Sequence, residues 1–344
     1  MSDPINEWLI PLIFTVSKQF IFVFISDMNV MRDKPILVIG GTGHYGSYIV
    51  NRLLNKSAKV RVLSRNAAKA RKILGDAPEI IEGDITSKES VRQSLDAAGG
   101  VIISISAFSP KLIRKMEQIE REAVLMVLAE AEKLGVSRIV YISIYDIKLE
   151  LPGDFDFMLR KRIARLKLDV ENALGESKLN FTILGAPASM EIFFAMMRGN
   201  SMFVPGGSPP ALFNISPLDL GEIAAQAVFR NDLKGKRFRM TGPKALSFKE
   251  AAGLIGRAVG KNIAFRKIPM FFPRLVQKII YPVAPFSDRF YFINQMINFI
   301  RILSNFPQDL IDDIPKDYQK LLDTFEYAPT TLEQETRRRF GDST

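Results

Sequence analysis

From residue 35 onward, short apolar runs alternate with helix-length stretches of mixed polarity. Residues 35–39, 59–63, 79–82, 101–106, 138–143 and 181–184 predict strands. Residues 45–54, 67–74, 88–97, 112–134 and 157–174 predict the helices between them. Thr86 and Glu89 have the spacing of a capping box ahead of the third helix. Strands that alternate with helices imply βαβ crossovers and therefore a parallel sheet. Past residue 190 the alternation becomes irregular. A turn-rich stretch at 200–216 precedes helices at 216–230 and 247–259 and strands at 237–240 and 263–268, with Ser247 and Glu250 as a second cap. Residues 270–305 are dense in Phe, Ile and Tyr and broken by prolines; they predict helices that roof a pocket or form a subunit contact.

The resulting expectation is an α/β fold, a Rossmann-type doubly wound parallel sheet with a smaller C-terminal α+β part that covers a substrate. Its predicted divisions are a hydrophobic extension over 1–33, a nucleotide-binding domain over 34–190 and a smaller part over 191–344. Within the extension, residues 8–26 are apolar but interrupted by Pro11, Lys18 and Gln19, and a central lysine opposes insertion by roughly 3 kcal/mol. Three readings stand side by side: a membrane anchor, an added packed helix, and a translated stretch upstream of a start at Met28 or Met31.

The most informative motif joins the first strand to the first helix. Gly40, Gly43 and Gly46 recur in the run Gly40-Gly41-Thr42-Gly43-His44-Tyr45-Gly46. Glycine there lets backbone approach a phosphate, which the amides and dipole of the following helix then hold. After the second strand stand Ser64 and Arg65, with Lys69 four residues on, and no carboxylate. An acidic residue in that region favours NAD(H), whereas arginine pairs with a 2′-phosphate. NADP(H) is therefore expected in preference to NAD(H). Asp84 and Ile85 follow the third strand and are expected beside the adenine, with a turn carboxylate ahead of the next helix as the other reading of Asp84. Ser104, Ile105 and Ser106 end the fourth, at the carboxyl edge where such sheets bind ligands.

Composition removes several chemistries. The 344 residues include no cysteine and a single histidine, His44, so thiolate nucleophiles and histidine-based zinc sites are excluded and no metal is expected. The net charge of +10 is spread among 37 acidic residues, and no nucleic-acid-binding motif is present, so nucleic acid is not expected as a partner. The cysteine-free chain suits a cytoplasmic setting, with membrane association through residues 8–26 as the other reading.

Several segments together resemble the NmrA-like group of atypical short-chain dehydrogenase/reductase proteins. They are the glycine run, Val62-Leu63-Ser64-Arg65, Gly83-Asp84-Ile85, Val140-Tyr141-Ile142-Ser143, Lys167-x-x-x-Glu171, Leu218-Asp219-Leu220-Gly221, Met240-Thr241-Gly242-Pro243 and Pro329-Thr330-Thr331-Leu332-Glu333. The resemblance implies NADP(H) binding, with roles from reductases to redox-sensing regulators that bind a protein partner. It also implies a catalytic Tyr-x-x-x-Lys. If Lys167 is that lysine, the tyrosine position is Ile163, which donates no proton, and the family's Arg-Pro after the sixth strand reads Gly185-Ala186-Pro187. Lys167, Tyr145 and Ser143 are therefore the candidate catalytic residues, and Lys167 also stands as a ribose contact. Its alternative is an exposed pair with Glu171. The expected reaction is hydride transfer to a small hydrophobic carbonyl, enone or quinone, with Phe193, Phe194, Met196, Phe271 and Phe272 as an apolar wall, in a monomer or homodimer.

Overall fold

The computed structural model describes residues 33–145, 158–206, 211–303 and 314–341. The predicted extension, apart from Asp33, lies outside the described residues. Seven strands form one sheet in the order β3-β2-β1-β4-β5-β6-β9. They are β1 (Ile36–Ile39), β2 (Val60–Ser64), β3 (Glu79–Glu82), β4 (Gly100–Ile103), β5 (Arg138–Ile144), β6 (Phe181–Ala186) and β9 (Lys236–Arg239). Every neighbouring pair is parallel. The order reverses between β1 and β4, and the crevice at that reversal is where doubly wound sheets bind ligands.

The strand side chains show why helices cover both faces. All four residues of β1 are buried. Ile36 and Val38 join Ile49, Val50 and Leu53 of α1 (Gly46–Asn55) and Leu220 and Ile223 of α7 (Pro217–Ala227). Leu37 and Ile39 point the other way, to Val91 and Leu95 of α3 (Lys88–Leu95), Val124 and Val127 of α4 (Ala123–Lys133) and Val170 and Leu174 of α5 (Met158–Glu176). Alternation of period two thus builds two apolar layers from one strand. The remaining helix of the sheet, α2 (Ala67–Leu74), follows β2.

The smaller part holds a three-stranded sheet, β10-β8-β7, made of β7 (Met197–Arg198), β8 (Ser201–Pro205) and β10 (Ala264–Ile268). Its helices are α6 (Glu191–Ala195), α8 (Phe248–Ala258), α9 (Phe271–Ile280), α10 (Asp288–Leu303), α11 (Ile314–Thr324) and α12 (Leu332–Phe340). The predicted Ser247 and Glu250 box is formed in full at α8.

Two local expectations need correction. The cap of α3 is Ser87, which accepts the Ser90 amide; the Thr86 hydroxyl is instead spent on Asp84. The predicted continuous helix over 112–134 begins as a 3-10 turn, Ile113–Lys115, and passes through a π turn, Gln118–Glu122, before α4. The wider turn rotates Glu120 into the interior, where its carboxylate accepts the amide of Ala107 at 2.7 Å and is 2% exposed. A buried carboxylate needs such partners, and periodicity alone does not register the extra residue in the turn.

Candidate functional site

The bend after β1 admits no side chains at its two closest points. Gly40 has φ +84°, and a Cβ there would lie 2.1 Å from the carbonyl oxygen of Ser104. A Cβ on Gly46 would lie 2.0 Å from the carbonyl oxygen of Gly40. The Gly43 amide donates to that same oxygen at 2.8 Å, which closes the turn. Side chains cap α2, α3, α7, α8 and α12, whereas none caps α1, α4, α6 or α9; the N-cap of α1 is Tyr45. The first amides of a helix have no partner within it, and their dipoles attract anions. A glycine-rich bend before an uncapped helix at the sheet's switch point fits a pyrophosphate.

The histidine of the bend pairs with the smaller part. His44 Nδ1 stands 3.0 Å from Glu191 Oε2 of α6, and Tyr45 donates its hydroxyl to the Pro187 carbonyl at 3.0 Å. The His44 hydrogen bond, against the cost of partial burial, holds Glu191 below the usual carboxylate range. Burial, with Glu191 nearby, pushes the Tyr45 phenol well above its ordinary value. These contacts fasten the smaller part to the bend.

At the far edge, Arg65 and Lys69 are exposed after β2, and the Lys69 amide is held by Asn66, the cap of α2. Asp84 accepts both the amide of Thr86 at 2.9 Å and its hydroxyl at 2.8 Å. Burial raises its pKa, but those bonds and the charges of Arg65 and Lys115 outweigh burial and lower it. Lys115 lies on the 3-10 turn and was not singled out by the sequence. Nor was Glu82, which ends β3 and takes the Ala67 amide at 3.3 Å, bringing a carboxylate to the start of α2.

The candidate catalytic residues separate into two groups. Tyr141 and Ser143 occupy alternate positions of β5; Ser143 Oγ is buried without a hydrogen-bond partner among the described residues, and the buried Tyr141 phenol interacts with Lys167. Lys167 Nζ lies 5.2 Å from the Tyr141 ring centre, donates to the Ile105 carbonyl at 3.1 Å and pairs with Glu120 Oε2 at 3.1 Å. It is buried rather than exposed, and Glu171 pairs instead with Arg237 at 2.9 Å. Burial favours its neutral amine, but the Tyr141 phenol and the Glu120 carboxylate prevail and raise its pKa. Tyr145 stands apart, donating to Asp317 Oδ2 of α11 at 3.0 Å, an oxygen that Arg239 also holds at 2.9 Å.

The apolar wall is not one surface. Phe193 packs edge-on against Phe248 and Phe194 against Phe340 inside the smaller part, whereas Phe271 and Phe272 are exposed on α9. Among the described residues no cluster of acidic or histidine side chains could hold a metal ion.

Residues 40–228 match a family model described as NAD(P)H-binding. The chain belongs to this NAD(P)H-binding family. It is 24% identical over 311 residues to the photosystem II assembly factor Ycf39 of Synechocystis sp., spanning 89% of this chain and 90% of that protein. It shares its fold with the triphenylmethane reductase of a Citrobacter species, crystallised with NADP(H), at TM-score 0.66 and 18% identity over 88% of this chain and 99% of that one. An Escherichia coli NADPH-dependent quinone oxidoreductase in complex with NADPH gives TM-score 0.66 and 18% identity over 89% and 99%. Family and topology agree with the NmrA-like resemblance and with the Rossmann-type expectation.

Proposed function

We propose that the protein binds NADP(H) in preference to NAD(H) and reduces a small, apolar quinone, enone or carbonyl compound. The observation that carries this reading is Ser143 Oγ, buried without a hydrogen-bond partner among the described residues, on the same strand as a buried Tyr141 that faces Lys167. A buried hydroxyl without a partner costs roughly 1–3 kcal/mol, a penalty that a bound polar group would remove. Thr42, His44, Tyr45 and Gly46 would hold the pyrophosphate through backbone amides, on the turn that Gly40 and Gly43 close. Ser64, Arg65 and Lys69 would take the 2′-phosphate, Asp84 and Ile85 the adenine, and Ser104, Ile105 and Ser106 the passage to the nicotinamide. When bound, the reduced nicotinamide supplies the hydride.

Lys167 is assigned here to holding rather than to proton donation, because releasing its proton would leave Glu120 buried and unbalanced. Ser143 would orient the oxygen of the acceptor, and Tyr145 would supply the proton by turning its hydroxyl from Asp317, to which it donates at 3.0 Å. Acceptors whose reduced form is a stabilised anion demand little from such a donor, which favours quinones over simple ketones. The fold neighbours named as quinone and dye reductases support the same choice.

Calorimetry with NADPH and with NADH tests the cofactor, and NADPH consumption with a panel of quinones, enones and ketones tests the reaction. Loss of turnover in Ser143→Ala or Tyr145→Phe, with NADPH affinity retained, is the expected result. The locked Lys167 and Glu120 pair favours a second reading, a nucleotide-responsive protein that binds a protein partner without turnover, as the assembly-factor relative suggests. Tight NADPH binding, no consumption with any acceptor and a partner whose binding changes with NADPH would select it.

A further inference from the structure

Helix α9 leaves most of its apolar side chains exposed. The side it turns to the protein carries Pro273, Gln277 and Ile280, and Gln277 donates to Asn294 Oδ1 and Asn298 Oδ1 of α10, both at 2.9 Å. Its outer side carries Phe271, Phe272, Leu275, Val276 and Ile279, and Ile279 is 68% exposed. A helix on a water-facing surface shows the opposite arrangement. The apolar surface continues through Tyr281 and Val283 to Phe286, which is 89% exposed on the following 3-10 turn.

We propose that this surface docks on an anionic lipid bilayer, with α9 lying in the plane of the interface. Residues 271, 275 and 279 stack on one stripe and 272 and 276 on the next, which gives a broad apolar band along the helix. Arg274 and Lys278, four residues apart, form an exposed cationic stripe at the edge of that band. No acidic residue occurs in α9, and Arg289 adds a further exposed cation beyond the turn. Asp288 is already paired with Arg114. An apolar band edged by Lys and Arg is the pattern of interfacial helices, and lipid phosphates complete its charge. A second copy of this face fits less well, because a two-fold contact sets a same-signed edge against itself.

The surface is tied to the rest of the fold. Arg114 donates to the carbonyls of Ala284 at 3.0 Å and Pro285 at 2.9 Å, which ties the turn to the nucleotide-binding domain. Tyr291 and Phe292 of α10 pack on the buried cluster of Ala107, Ile113, Met116 and Leu166. None of the described helices is long and apolar enough to cross a membrane, so the contact assigned here is peripheral.

The test is flotation of the full chain with vesicles of phosphatidylcholine alone and of phosphatidylcholine with phosphatidylglycerol. Binding to the anionic vesicles is expected, weakened by high salt. The triple variant Phe272→Ser, Leu275→Ser, Ile279→Ser should reduce it by about tenfold or more. Arg274→Glu with Lys278→Glu should abolish the preference for phosphatidylglycerol. All these side chains are exposed, and unchanged thermal stability in the variants checks that they fold. Absence of vesicle binding overturns the proposal, as does undiminished binding by the triple variant, which would assign the contact to residues 8–26. A lipid-free dimer that the triple variant converts to monomer also overturns it.

Discussion

Lys167 and Glu120 form an ion pair sealed from water, Nζ to Oε2 at 3.1 Å, between α5 and the π turn ahead of α4. Taking one charge away leaves the other buried and unbalanced, at a cost of about 3–5 kcal/mol. Glu120→Gln and Lys167→Met should each lower stability by that order. Glu120 also takes the Ala107 amide, so part of the loss in Glu120→Gln is recovered through the amide oxygen. The double variant should lose clearly less than the two single losses combined. A double-mutant cycle by urea denaturation measures this, and simple additivity would refute the pairing.

Arg65 decides the nucleotide preference proposed here. Its guanidinium is exposed after β2, and it joins Lys115 in lowering the pKa of Asp84. A charge-assisted hydrogen bond to a phosphate is worth about 1.5–3 kcal/mol, which is roughly 10- to 150-fold in affinity. Arg65→Asp should lower NADPH affinity by that factor and leave NADH affinity nearly unchanged. Glu82→Gln removes a carboxylate near the same edge and should shift the ratio modestly toward NADPH. Titration calorimetry of both cofactors reads each outcome, and an unchanged ratio in Arg65→Asp would contradict the assignment.

The glycine bend offers a test that separates site from scaffold. A methyl on Gly46 would meet the Gly40 carbonyl carbon at 2.7 Å as well as its oxygen, and backbone does not yield cheaply. Gly46→Ala should cost about 1–3 kcal/mol in stability and abolish measurable NADPH binding. Gly175 in α5 has open space around its Cβ position. Gly175→Ala should therefore raise stability by up to about 1 kcal/mol without touching the cofactor. Thermal unfolding with and without NADPH distinguishes the two.

Local rules carried the sequence far and then stopped at contacts across the chain. The strands of the parallel sheet, the Ser247 cap and the glycine bend depend on neighbours a few residues away, and each was legible. Lys167 was visible as a candidate, but its partner lies 47 positions earlier and faces inward only because the π turn inserts a residue. Tyr145 finds Asp317 at a separation of 172 residues, which no motif encodes. Capping misled by one position, since Thr86 and Ser87 are both competent and only the fold spends Thr86 on Asp84. The apolar density of residues 270–305 was plain, yet composition did not say which side of α9 its phenylalanines would take.

Asp219 gives the protein a pH dependence opposite in sign to that of a salt-bridged carboxylate. It lies in the first turn of α7 and accepts the amide of Thr330 at 2.9 Å together with its hydroxyl, fixing the segment that leads into α12. Burial, reinforced by Glu335 and opposed by the Thr330 bonds and Arg52, pushes its pKa from 3.8 up to about 6. The folded state therefore binds this proton more tightly than the unfolded chain. Its contribution to stability is fully present below about pH 4 and is lost as pH rises through 6. The loss is about 3 kcal/mol, at roughly 1.4 kcal/mol per pH unit across that window. Asp219→Asn has no proton to lose, so its stability relative to wild type should rise by that amount between pH 4 and pH 7. Its weaker grip on Thr330 adds an offset independent of pH. Urea midpoints for both proteins across this range give the difference directly, and a flat difference would show that Asp219 ionises in the fold as it does in water.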